Sequence, residues 1–314
     1  SAAEAADTTL FAMILVQECF TMKSFTAKQK NLIWIWIFLL PCLLTFLLFY
    51  LVPILTLVCT SFTKWDGANL PVFTGLTNYI TLFRTPDFQH ALINLLLWSI
   101  IAGTFHVFFG TLVALILFKE PHGWKFVETV FMIPNVISMA AWAMIYRFVF
   151  NGSYGILNGI IRIFSPGFSV NWLFESPYAF IAVTLTWLFY AVVVTLLVLS
   201  DLKAIPPDLH EAAQIDGASD WYITLKINLP LCRNSIGTAV ICSISARISM
   251  YETIALTTRG GPGNDTMNIP LILVNAINDS KYGYANASGM VMLLIGIVLL
   301  VIVNKAFRMN ESVY

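Results

Sequence analysis

Six apolar runs constrain this chain more than any other feature in it. They lie near residues 32–62, 90–118, 127–150, 178–200, 234–258 and 285–304. Each is about 20 residues or longer, the length a helix needs to cross the hydrocarbon of a bilayer. Inside hydrocarbon every backbone N–H and C=O must be satisfied within the chain, and a helix does this locally. The expected fold is an all-α membrane protein with six transmembrane helices. Composition agrees: 58% of the 314 residues are hydrophobic, 11% are charged and the mean hydropathy is +0.80. A soluble domain carries about 25% charge, so this chain has too little polar surface to face water all round. Its zero net charge gives no electrostatic case for nucleic acid. Cys19, Cys42, Cys59, Cys232 and Cys242 are scattered without CxxC spacing and read as small hydrophobes. Pro41 and Pro53 fall in the first run and are expected to kink it.

Orientation follows from Lys and Arg, which accumulate on the cytoplasmic side. Lys23, Lys28, Lys30, Lys119, Lys125, Lys203, Lys226, Arg233, Lys305 and Arg308 fall on one side of the expected spans. Lys64, Arg84, Arg162, Arg259 and Lys281 fall on the other. Ten against five places both termini and the 201–233 loop in the cytoplasm. Residues 1–31 read as a cytoplasmic segment whose Leu10–Val16 run is too short to span, either an interfacial helix or a disordered tail. Met22 reads as a candidate native start, and no cleavable signal arrangement precedes the first span. Residues 32–310 form one six-helix transmembrane domain, and 311–314 a cytoplasmic tail. Of the outer connections, 151–177 is expected to hold a short helix near the membrane surface, and Gly260–Thr266 is a helix terminator.

The 201–233 loop carries a spaced pattern. Glu211, Ala212 and Ala213 are followed after three residues by Gly217, and after nine more by Ile227-Asn228-Leu229-Pro230. The alanine pair permits close approach of another surface, and Gly217 supplies the left-handed turn between two short helices. Read alone, it is a helix–turn–helix at a membrane surface. The order E-A-A, three residues, G, nine residues, I-x-L-P resembles the coupling loop of binding-protein-dependent ABC importer permeases at every fixed position. The likeness extends over about residues 32–310. It includes Leu39-Leu40-Pro41, Ser61-Phe62-Thr63-Lys64-Trp65-Asp66, Gly75-Leu76-Thr77-Asn78-Tyr79, Tyr154–Asn158, the GGPGNDT run and Tyr282-Gly283-Tyr284. Among such families the chain looks most like the first permease subunit of maltose-type and glycerol-phosphate-type carbohydrate importers. It departs from the maltose subunit in lacking a large external insertion and two extra N-terminal spans.

This resemblance implies a type I ABC importer permease fold with a cytoplasmic coupling-helix loop, in a bacterial inner membrane. It implies four kinds of partner: a homologous second permease, two ATPase subunits, an extracytoplasmic solute-binding protein and a saccharide. Glu211, Ala212, Ala213, Asp216 and Gly217 would be the ATPase-coupling residues. ATP and magnesium would be bound by the ATPase subunits, since no GxxxxGK[ST] phosphate loop occurs in this chain. The chain itself is then not an enzyme, and it carries no metal or cofactor.

Arg247 is the most informative single residue. It lies midway along the fifth run, with Ser243 and Met250 on the same helical face. A charge at that depth costs about 2.5–3.5 kcal/mol on insertion scales, so it should face a cavity or protein. Glu252, five residues on, is turned about 140° away if the helix continues. Aligned with the maltose-type subunit, Ser243, Ala246, Arg247 and Met250 match sugar-contacting positions, and Phe189, Tyr190 and Val193 match those of the fourth span. Two roles stay open for Arg247: gripping substrate, or pairing with an acidic group on the second permease. Phe189 and Tyr190 are equally suited to stacking on sugar and to helix packing. Because a guanidinium grips a carboxylate with two parallel hydrogen bonds, the expected solute is an acidic, uronate-containing oligosaccharide. Neutral oligosaccharides and glycerol phosphodiesters are the alternatives. Arg147 reads as an interfacial anchor and His106 as a packed or hydrogen-bonded histidine. No acid/base or metal set lies at a common membrane depth, which disfavours an intramembrane enzyme. The sugar-type runs argue against a peptide or ion permease.

Overall fold

The computed structural model describes residues 27–309, with side chains from Trp34 onward. Expectations about residues 1–26 and 310–314 lie outside the described residues. The chain divides between Thr56 and Leu57 into two compact units.

In the first unit, α1 (Ala27–Phe46) runs into a π-turn at Leu47–Leu51 and on into α2 (Val52–Ser61). Pro41 sits inside α1 without interrupting it, so the disturbance falls instead on the turn just before Pro53. Pro53 cannot donate to the carbonyl one turn back, and a widened turn accommodates that loss. Every side chain from Trp34 to Thr56 is exposed, including Trp34, Phe38, Phe49 and Tyr50. A helix apolar on all sides suits hydrocarbon or a protein seam.

The second unit takes in the end of α2 from Leu57 and continues with the short antiparallel pair β1 (Thr63–Lys64) and β2 (Val72–Phe73), then α3 (Thr77–Arg84). α4 (Pro86–Ile101) and α5 (Val107–Phe118) join through a π-turn at Ala102–His106 into one 33-residue apolar run. α6 (Trp124–Met132) continues as a tight turn at Ile133–Val136, containing Pro134, before α7 (Met139–Val149). The two halves of that expected third span meet at 105°. After α8 (Ile156–Phe164), α9 (Tyr178–Leu188) and α10 (Val192–Ala204) make a 27-residue run broken at 189–191. The coupling pair α11 (Pro207–Ile215) and α12 (Asp220–Ile223) follows. α13 (Arg233–Ile248), α14 (Glu252–Leu256), α15 (Ile269–Asn278) and α16 (Tyr282–Phe307) complete the unit.

Among the described residues four helical runs are long and apolar enough to cross a membrane, and a fifth if the bent α6–α7 pair is one span. The expected fifth span, 234–258, is instead α13 of 16 residues, a break at 249–251, and the short α14.

The core joins α4, α5, α10, α13 and α16 through Leu95, Val107, Ala114, Val194, Val198, Val240, Ile244 and Val291. Small residues set the closest approach. A Cβ at Gly110 would lie 2.6 Å from Val194 Cβ, and the Gly110 carbonyl accepts a 3.0 Å bond from Thr195 Oγ1. Backbones that approach this closely are the usual means of helix association in hydrocarbon. Beside this core, Trp98 is fully buried, stacks on Phe180 at 5.1 Å and donates to Thr184 Oγ1 at 3.0 Å.

Candidate transport cavity and coupling surface

Two helices are unwound at the same place. The α9–α10 run loses its ladder at 189–191, and α13 ends at Ile248 before α14 starts. Each break frees carbonyls that need donors. His106 Nδ1 lies 3.0 Å from Leu188 O, and Trp142 Nε1 donates to Thr186 O at 2.9 Å. Asn268 Nδ2 donates to Met250 O, while its Oδ1 caps α15 by accepting from Leu271 N at 3.0 Å. The GGPGNDT loop is held in turn by Asn94 Nδ2, bonded to Asn264 O and Met267 O at 3.2 and 2.9 Å. Irregular backbone at membrane depth is tolerated where it is buried in protein or lines a cavity.

A cavity of about 320 Å³ lies at these breaks. Six of the seven expected substrate residues line it: Ser243, Ala246, Arg247, Met250, Tyr190 and Val193. Phe189 does not. Its ring packs edge-on against Phe109 at 5.2 Å and faces an adjoining apolar recess with Phe126, Val130 and Phe131.

The structure adds wall residues that the sequence did not single out: Asn135, Met139, Trp142, Thr186, Trp187, Glu252 and Thr253. His106 lines the cavity as well as capping Leu188. Glu252 was expected on the far side of a continuous helix; the break at 249–251 brings it onto the same cavity as Arg247. Nothing local announces the 189–191 break, since neither glycine nor proline occurs from Tyr178 to Ile205.

Arg247 is held by an aromatic face. Its Cζ lies 4.2 Å from the Trp187 ring centroid, and the His106 ring meets Trp187 edge-on at 5.8 Å. Such stacking of a guanidinium contributes about 2 kcal/mol when desolvated. Arg247 Nε and Nη1 are nonetheless buried without an acceptor. Among the described residues no carboxylate comes within ion-pair range of Arg247. Trp187 Nε1 and Tyr190 Oη are likewise buried without a partner. Three residues of one cavity wall therefore hold four unsatisfied donor atoms, and buried donors without acceptors are rare enough to need a cause.

The coupling residues are brought together on an exposed turn. Glu211, Ala212 and Ala213 lie on α11, and Asp216 and Gly217 close it. Gly217 has φ of +81°, its N–H donates to Gln214 O at 3.0 Å, and Ala218 N–H reaches Ala213 O at 2.9 Å. Ser219 caps α12. Two contacts tie the turn to the spans: Lys119 Nζ to Asp220 Oδ2 at 2.9 Å, and His210 Nε2 to Asn228 Oδ1 at 2.7 Å. Ile215, Trp221 and Tyr222 point outward.

Residues 106–311 match the model of the binding-protein-dependent transport system inner membrane component. The chain belongs to this family. It is thus a multi-pass permease protein, as the coupling motif had indicated. The probable ABC transporter permease protein YurN of Bacillus subtilis is 30% identical over 290 residues, covering 90% of this chain and 99% of the relative. The trehalose/maltose transport system permease protein MalF of Thermococcus litoralis is 29% identical over 284 residues, covering 88% and 94%. The motif-based likeness to carbohydrate-uptake permeases agrees with these relatives. Among solved structures, a bacterial ABC transporter involved in import of the acidic polysaccharide alginate superposes with a TM-score of 0.77 at 22% identity. That match covers 90% of this chain and 98% of the other, and the fold is the type I importer permease fold.

Proposed function

We propose that this permease passes an acidic, uronate-containing oligosaccharide from an extracytoplasmic binding protein to the cytoplasm by alternating access. Arg247 carries this reading. Its guanidinium is braced on Trp187, lines the cavity, and keeps Nε and Nη1 unsatisfied with no carboxylate in ion-pair range among the described residues. A planar cation so held suits a carboxylate, which would take two parallel hydrogen bonds and offset the desolvation of the charge. Trp142 and Tyr190 supply aromatic faces for sugar rings. The alginate importer is similar at an identity that bears on fold alone, so the charge of the solute rests on the cavity.

In this reading the cavity is completed by a homologous second permease. Two ATPase subunits bind ATP and magnesium and meet Glu211, Ala212, Ala213, Asp216 and Gly217 on the cytoplasmic side, where both termini also lie. Residues 32–310 are the permease domain. The substrate roles of Ser243, Ala246, Met250, Tyr190 and Val193 belong to the same proposal, whereas Phe189 serves the adjoining recess.

A neutral-oligosaccharide reading has one observation in its favour: Glu252 lines the same cavity and would repel a second carboxylate. The trehalose/maltose relative points the same way. Uptake by the reconstituted transporter separates the two. With Arg247→Gln, uptake of uronate oligosaccharides should fall at least tenfold, to about 1.4 kcal/mol or more of lost interaction, while any neutral-sugar uptake persists. Unchanged acidic uptake, or a wild type that prefers neutral sugars throughout, would make Arg247 a structural partner of the second permease.

A further inference from the structure

Helix α8 is built inside out. Its polar residues Asn158 and Arg162, one turn apart on one face, turn toward the protein. Asn158 is fully buried; its Nδ2 donates to Gly152 O and Val170 O, both at 2.8 Å, and its Oδ1 accepts from Trp172 Nε1 at 2.7 Å. Arg162 donates from Nε to Phe168 O at 2.8 Å, from Nη1 to Ser153 O at 2.9 Å and from Nη2 to Gly152 O at 3.0 Å. The polar side of the helix is therefore used up in holding its own loop. The opposite side presents Ile156, Ile160, Ile163 and Phe164, spaced i, i+4, i+7 and i+8, with exposures of 63%, 52%, 74% and 85%. A helix bathed by water would turn these residues the other way.

Its place in the chain says what bathes it. α8 lies before the start of the 27-residue run Tyr178–Ala204, and the coupling helices follow the end of that run. It sits on the membrane side opposite the coupling surface. The apolar face also continues that of a membrane helix: Ile145 and Phe148 of α7 are exposed, and the Phe148 ring meets Tyr154 at 6.4 Å just before α8. Trp172 and Tyr178, edge-on at 5.5 Å, put amphipathic rings at this level, as at a membrane–water boundary.

We propose that α8 lies in the membrane plane as an interfacial anchor, with Ile156, Ile160, Ile163 and Phe164 set against acyl chains of the leaflet opposite the coupling helices. An apolar stripe with its polar face satisfied elsewhere matches that environment. A soluble binding protein fits it less well, because between encounters this face would stand in water. The anchor fixes the depth at which α9 enters the bilayer.

The test is a nitroxide at Ile160→Cys and at Ile163→Cys, native cysteines replaced by alanine, in the assembled transporter in vesicles of phosphatidylethanolamine and phosphatidylglycerol. Both positions are exposed, so the label leaves the core intact. Collisions with dissolved oxygen should exceed those with a water-soluble nickel chelate, the ratio standing severalfold above that at Asp279→Cys on an exposed polar loop. A ratio equal to that at Asp279 overturns the proposal in favour of water. A label shielded from both reagents overturns it in favour of the second permease or the binding protein.

Discussion

Arg247 and the groups around it allow the sharpest experiments. Trp187→Leu removes the face beneath the guanidinium, a contact of about 1–2 kcal/mol, and should weaken apparent affinity for an acidic saccharide by about tenfold. Trp187→Phe keeps an aromatic face and should retain most of it; equal losses would show that the ring acts only by filling space. Glu252 offers an independent measurement. It lines the cavity without pairing to Arg247, so Glu252→Gln should leave acidic uptake unchanged or raise it. A collapse of uptake would instead make Glu252 a countercharge that Arg247 meets in another state of the cycle.

Among the elements, the coupling turn and the α5–α10 contact make opposite demands on glycine. At Gly217 an added Cβ would meet nothing within 4 Å, but φ is +81° and the N–H is bonded to Gln214 O. Proline can satisfy neither condition. Gly217→Pro should leave membrane insertion intact while uncoupling uptake from ATP hydrolysis, and Glu211→Lys, on the exposed face of α11, should do likewise. Normal uptake in both variants would remove this turn from the coupling path. At Gly110 the backbone is ordinary and the space is missing, with Val194 Cβ at 2.6 Å. Gly110→Val should cost about 1–3 kcal/mol through overpacking, read as a lowered thermal transition of the detergent-solubilised complex.

On the scale of the whole molecule, the described chain leaves a seam uncovered. α13 and its C-cap residue expose Cys242, Ser245, Ala246 and Ser249 at i, i+3, i+4 and i+7, a stripe of small residues beside the cavity. Small residues of this kind let another helix approach closely, and lipid is a poor neighbour for serine hydroxyls. Expressed without a second permease, the chain should extract poorly and melt early, and coexpression should restore a monodisperse complex. A stable monomer would count against an obligate pair.

The sequence by itself determined the apolar runs, the coupling turn and the family, because each is a local property. Hydrocarbon thickness selects run length, and a left-handed turn selects glycine. It also named part of the cavity wall, since Ser243, Arg247 and Met250 share one helical face. What only the tertiary structure decided is where the helices stop. Leu188 O and Met250 O can leave the helical ladder because His106, 82 residues away, and Asn268, 18 residues away, supply donors. The 189–191 break carries no proline or glycine to announce it. Phe189 consequently lines only the adjoining recess while Tyr190 borders both, Glu252 reaches the cavity, and Trp187 comes to lie beneath Arg247. Hydropathy along one run cannot contain these outcomes, because a buried carbonyl is free to leave its helix only when another part of the fold brings it a partner.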